Sequence, residues 1–168
     1  MQTPWLDRDQ LAAWVRLVAV LELLPGVLDG QLRRDADLMH FEYFVLAMLS
    51  EAPERTLRMA SLAQRTHATL PRLSHVVRRL EDRGLVQRRP CPEDGRATNA
   101  RLTPGGWDAV VAAAPGHVET VRRSILDPLT PAQLEQLRTI GDALLQRLDP
   151  DGRLTGLYDP EREQRDPV

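Results

Sequence analysis

The side chains with chemistry to offer gather between residues 55 and 101. That stretch holds 11 arginines against four acids (Glu81, Asp82, Glu93 and Asp94), a net +7, while the rest of the chain holds 11 arginines against 20 acids, a net −9. A guanidinium is a planar fork of donors that cannot lose its proton, suited to phosphate oxygens and to the N7/O6 edge of guanine. Positive charge collected in under a third of an otherwise acidic chain is the electrostatic footprint of a surface for a polyanion. Too few acids lie nearby to pair with these arginines on a merely solvated face. Catalysis has no comparable foothold. No G-x-S-x-G, P-loop, G-x-G-x-x-G or H-E-x-x-H pattern occurs, so no enzyme activity, cofactor or metal is expected. His40, His67, His75 and His117 are scattered, and surface or capping roles account for them better than a zinc site built between segments. The chain has seven aromatics, none interleaved with the basic residues. That argues against base-stacking readers of single strands and leaves double-stranded DNA as the expected partner.

Those arginines need a scaffold, and the apolar pattern supplies one. Residues 59–66 predict a short helix with Leu62 and Ala63 facing inward, followed by a tight turn at His67-Ala68. Thr69 is placed to N-cap a second helix, in whose first turn Pro71 is tolerated because the N–H groups there lack partners. Leu73, Val76, Val77 and Leu80 form one buried stripe. The opposite face carries Pro71, Arg72, Ser74, His75, Arg78, Arg79 and Asp82, and Gly84 ends the helix in a left-handed cap. Two short helices joined by a tight turn, the second with a basic outer face, have the geometry of a major-groove reader. Arg72, Ser74 and His75 would reach base edges; Arg78 and Arg79, further along, would touch phosphates. A hairpin follows, with strands over 85–89 and 97–102 and a loop over 90–95 in which Asp94-Gly95 signals the turn. Arg88, Arg89, Arg96 and Arg101 lie along it, and an arginine at the loop tip suits a narrow, electronegative minor groove.

Leu62-Ala63, the helix end Leu80-Glu81-Asp82-Arg83-Gly84-Leu85-Val86, and Asp94-Gly95-Arg96 followed by Leu102-Thr103-Pro104-Gly105-Gly106 carry a family resemblance. Over residues 40–106 the chain resembles the winged helix–turn–helix of the MarR family of bacterial transcriptional regulators, with its D-x-R wing and LTP-x-G exit. The resemblance implies an obligate homodimer on pseudo-palindromic DNA, usually a repressor released by a small-molecule effector or by oxidation. It also implies that Asp94 braces the wing through charge pairing and that Arg96 enters the minor groove. The candidate DNA-binding residues are Thr69, Arg72, Ser74, His75, Arg78, Arg79, Arg88, Asp94 and Arg96.

The rest of the chain reads as support. Residues 7–24 predict an amphipathic helix with the stripe Leu11, Trp14, Val15, Val18 and Leu21, kinked or broken at Pro25-Gly26 and followed by a second piece over 27–34. Residues 40–51 predict an apolar core helix, and Arg55-Thr56-Leu57 a short strand against the hairpin. Beyond the wing, Thr103 caps a helix that Pro115-Gly116 is expected to interrupt. Thr130-Pro131-Ala132-Gln133 resembles a capping box ahead of the stripe Leu134, Leu137, Ile140, Leu144, Leu145 and Leu148. Leu11, Trp14, Val18, Leu137, Leu144 and Leu148 are the candidate dimer interface.

The expected fold is mainly α with a small β-hairpin wing: a winged helix–turn–helix lobe and a helical dimerisation layer from both chain ends. A single domain over 1–168 divides into N-terminal dimerisation helices (7–34), the winged helix–turn–helix (40–102), C-terminal dimerisation helices (103–148) and a mostly disordered tail (149–168). No secretory signal and no apolar run long enough for a membrane span is expected. The lone Cys91 cannot form an intramolecular disulfide, which points to the cytoplasm, and it has no obvious activating partner for redox sensing. The alternative function is a winged-helix protein-interaction module that does not read DNA; such a module would not need the +7 cluster or Arg96.

Overall fold

A computed structural model describes residues 4–92, 94–150 and 152. In chain order the elements are α1 (Arg8–Ala36), α2 (His40–Ser50), a 3-10 turn (Pro53–Arg55), β1 (Thr56–Arg58), α3 (Met59–Arg65), α4 (Leu70–Asp82), β2 (Val86–Cys91), β3 (Asp94–Leu102), α5 (Pro104–Val121), a wide turn (Arg122–Leu126) and α6 (Pro131–Leu148). The strands form one antiparallel sheet, ordered β1-β3-β2, with Thr56 opposite Arg101 and Val86 opposite Leu102. The hairpin is longer than expected: β2 runs through Pro90 to Cys91, and β3 begins at Asp94. Pro90 is compatible with this because β2 is an edge strand. Of the expected tail, only the first residues lie within the described part of the chain.

The core forms where α2, α3, α4 and the sheet converge. Val45, Leu46 and Leu49 of α2, Leu62 of α3, Leu73, Val77 and Leu80 of α4, and Ala100 of β3 are completely buried. The stripe read along α4 is the face that is buried, together with Val76. Gly84 has φ +72° and donates to Glu81 O, while Leu85 N–H donates to Leu80 O. This six-to-one closure satisfies the last carbonyls of α4 and turns the chain into β2.

The interruption expected at Pro115-Gly116 is absent, and the kink or break expected at Pro25-Gly26 does not end the helix. Pro25 lies inside the 29-residue α1, and Pro115 inside the 18-residue α5. An internal proline removes one hydrogen bond and crowds the preceding turn, at about 3 kcal/mol. Here tertiary packing offsets that cost: α1 and α5 lie against each other, burying Leu28, Gln31 and Leu32 on α1 and Val110, Ala113 and Thr120 on α5. Gly116 permits the close approach, since a Cβ there would stand 3.0 Å from Gln31 Nε2 and 3.1 Å from Asp35 Oδ2.

The first turns of α1 and the whole of α6 bury nothing. Leu11, Trp14, Leu137, Leu144 and Leu148 are exposed, Val18 is half-buried, and no residue of α6 is buried. Because α1 runs on through Pro25, it is long and apolar enough, by length and composition, to cross a membrane, with a mean hydropathy of 1.9 over an 18-residue window. That corrects the expectation that no segment meets this requirement. Arg16 and Glu22 stand within the helix.

Candidate nucleic-acid interface

Helix α4 is presented by the bonds at its two ends. Thr69, in extended conformation, accepts from Arg72 N–H through its hydroxyl at 3.4 Å and starts the helix, after His67 has turned the chain with φ +50°. At the far end Thr103 Oγ1 donates towards Gly84 O at 2.7 Å and accepts from Gly106 N–H at 3.0 Å, so one hydroxyl joins the exit of α4 to the start of α5. Gly106 sits so close to Leu85 that a Cβ would lie 2.1 Å from Leu85 O. The Leu-Thr-Pro-Gly-Gly exit is therefore a contact motif: threonine supplies the bonds, and the second glycine allows helix, strand and wing to meet.

Along the outer face, Arg72, His75 and Arg78 are exposed and Ser74 is half-buried. The Arg72 guanidinium lies 4.4 Å over the Phe41 ring, a cation–π contact that limits its rotamers while leaving its donors to solvent. Arg78 reaches back one turn to His75 Nδ1 at 3.0 Å. At the wing, Asp94 Oδ1 accepts from Arg96 backbone N–H at 3.1 Å. The charge pairing expected of Asp94 is not found among the described residues; its carboxylate makes this backbone hydrogen bond instead. The Arg96 side chain is exposed. Cys91 is buried at the end of β2.

Two expected DNA contacts are otherwise engaged. Arg79 pairs with Glu42 of α2 and also approaches Met39 Sδ at 3.3 Å. Glu42 is almost fully buried; its other oxygen accepts from Met39 N–H at 2.8 Å and lies 3.9 Å from Arg83. Arg88 donates to Glu81 from its backbone N–H (2.9 Å), Nε (2.8 Å) and Nη2 (2.7 Å). The Arg88 backbone bond is the main cause that holds the Glu81 carboxyl below its usual range; the Arg88 side chain adds to it. Both arginines tie α4 to its surroundings: Arg79 to α2, Arg88 to the wing. Sequence did not show that Glu42, Phe41 and Glu81 would hold these arginines. Only Glu42 had a signal, as the one charged residue in the apolar run 41–49.

A cavity of about 350 Å³ opens beside this pair, bounded by Arg33, Leu38, Met39, Glu42, Arg79 and Arg83. Where α1, α2 and α5 meet, His117 is tilted against Tyr43 (4.7 Å between ring centres) and stacks with His40 (6.1 Å). Burial lowers the pKa of both histidines; Asp29 partly opposes this at His40, and the His40 charge adds to it at His117. Among the described residues, no group of three His, Cys, Asp or Glu side chains is placed to hold a metal.

Comparison with known proteins bears on this geometry. Residues 38–97 match the model of the MarR family. The chain is 40% identical to Sco3205, a MarR family transcriptional regulator from Streptomyces coelicolor whose crystal structure is in complex with DNA; the likeness covers 89% of this chain and 93% of that one, with a TM-score of 0.84. It is 34% identical to AbsC, a MarR family transcriptional regulator of the same organism, over 87% of this chain and 98% of that one, with a TM-score of 0.82. It is also 29% identical over 119 residues, 71% of this chain and 70% of the other, to the HTH-type transcriptional repressor IacR of Pseudomonas putida.

Proposed function

Since the chain belongs to the MarR family of transcriptional regulators, we propose that it is a cytoplasmic repressor that binds a pseudo-palindromic operator as a homodimer and is released by a small-molecule effector. The observation that carries this reading is the two-sided α4. One face is completely packed, the other presents Arg72, His75 and Arg78 to solvent, and the helix sits in a chain similar to one crystallised on DNA. Thr69, Ser74, Asp94 and Arg96 complete the DNA-facing set, Thr69 and Asp94 by fixing backbone and Arg96 by reaching the minor groove. Arg79 and Arg88 serve instead as struts within the lobe.

The stripes on α1 and α6, with Leu11, Trp14, Leu137, Leu144 and Leu148 exposed and Val18 half-buried, are the surface that the second copy covers. An isolated helix that buries none of its residues gains nothing to offset its ordering entropy, so α6 needs that partner. The two-fold axis then sets two α4 helices about one DNA turn, roughly 34 Å, apart. Occupancy of the operator excludes polymerase. An effector in the cavity beside Arg79 and Glu42 would release DNA only by favouring one arrangement of α4 against α2 over the other.

Selection of binding sequences from a random DNA pool tests the reading. An inverted repeat with half-sites one turn apart is expected; recovery of no preferred sequence, or of a single unrepeated half-site, refutes it.

A further inference from the structure

Arginine has donors only and keeps its proton, so the atom it approaches must accept. Arg78 Nη2 lies 3.0 Å from His75 Nδ1. In the neutral ring, Nδ1 is then the acceptor and the proton sits on Nε2, the ring nitrogen on the side away from the bond. Both side chains are exposed on the outer face of α4, about one to two turns in from its start. Arg72, one turn earlier, is drawn onto Phe41, and Arg79, one turn later, onto Glu42, so neither competes for the imidazole. No acid is paired with Arg78 among the described residues.

We infer that His75 and Arg78 form one base-reading unit, in which Arg78 fixes the His75 tautomer so that a single Nε2–H donor faces the major groove. This rests on the proposed DNA-binding function and specifies how one operator position is read. A lone donor accepts guanine (N7, O6), adenine (N7) and thymine (O4) as partners. Cytosine offers only its N4 amino donor on that edge and is rejected. The unit therefore discriminates against cytosine at one position of each half-site. Without Arg78 the ring exchanges between two tautomers, one of which presents an acceptor to which the cytosine amino group can donate, and the discrimination weakens.

The test is a double-mutant cycle. Wild type, His75→Ala, Arg78→Ala and the double variant are titrated against operators carrying each base pair at every half-site position, with thermal melting as a check on folding, which two exposed substitutions should leave unchanged. For the wild type, cytosine at one position should weaken binding about three- to tenfold, the scale of one net hydrogen bond. His75→Ala should abolish that preference. Arg78→Ala should reduce it at the same position besides weakening binding to all sequences, and the double variant should show the same flat base ranking at that position as His75→Ala alone. His75→Gln, whose amide can turn either way to donate or accept, should lose the bias against cytosine. If Arg78→Ala lowers affinity uniformly with the wild-type ranking intact, Arg78 is only a phosphate contact and the inference fails while the DNA-binding reading stands. If the wild type prefers no sequence, both fail together.

Discussion

Arg79→Ala separates a strut from a DNA contact. The substitution removes the guanidinium from Glu42, whose side chain is 3% exposed and keeps only the Met39 N–H at 2.8 Å and the distant Arg83 at 3.9 Å. Removing one partner of a buried pair costs about 3–5 kcal/mol, because the remaining charge is left without compensation. The Arg79 side chain is 41% exposed, so water screens part of the interaction, and the Met39 bond survives; about 2 kcal/mol is the discounted expectation. Urea unfolding followed by circular dichroism, at fixed protomer concentration because dimerisation couples to stability, would show the midpoint falling at unchanged slope. Replacing both members with apolar residues, Glu42→Leu with Arg79→Leu, should cost less than Arg79→Ala alone, since no unpaired charge remains. If Arg79→Ala stays within about 0.5 kcal/mol of wild type while the salt dependence of DNA affinity flattens by about one phosphate, the strut assignment is wrong and Arg79 touches DNA.

Arg72→Ala and Arg96→Ala should differ in kind. The first should relax one operator position at a cost of about 1–3 kcal/mol, and the second should weaken many sequences alike and lower the log–log salt slope by about 0.9 per subunit; a wild-type ranking of single-base operator variants with Arg72→Ala would remove Arg72 from the reading face. Gly106→Ala should destabilise by about 3 kcal/mol or more, because its Cβ would stand 2.1 Å from Leu85 O, while Gly105→Ala, with nothing nearer than 3.8 Å, should be neutral or gain from helix propensity; equal urea midpoints for the two would contradict the close contact. His40 and His117 have folded-state pKa values below the ordinary one of 6.5. The unfolded chain then takes up more protons, so their contribution is complete above about pH 6.5 and is lost as pH falls through the lowered values. His117→Phe should flatten the loss of stability between about pH 7 and pH 5, and an unchanged pH profile would mean that these histidines do not govern it.

Features that depend on neighbours along the chain were legible in the sequence. The caps at Thr69, Thr103 and Thr130, the buried stripe of α4 and the left-handed Gly84 follow from contacts within a few residues, and the gathering of charge follows from counting. Only the tertiary structure decided matters in which a distant segment changes the balance. Pro25 reads as a kink or break and Pro115 as an interruption because their local cost is visible in sequence, whereas the α1–α5 packing that offsets it joins residues far apart in the chain. Likewise the sequence does not show what holds six of the seven arginines on α4 and the wing. Phe41 stacks on Arg72, His75 accepts from Arg78, Glu42 takes Arg79 across 37 residues, Glu81 takes Arg88, Gln87 accepts from Arg89, and Arg96 has its backbone held by Asp94. A guanidinium's role is set by the acceptor or ring that folding brings within about 4 Å of it, since its electrostatic energy falls off with distance and screening. Composition counts the charges, and the fold alone decides which of them remain turned to solvent.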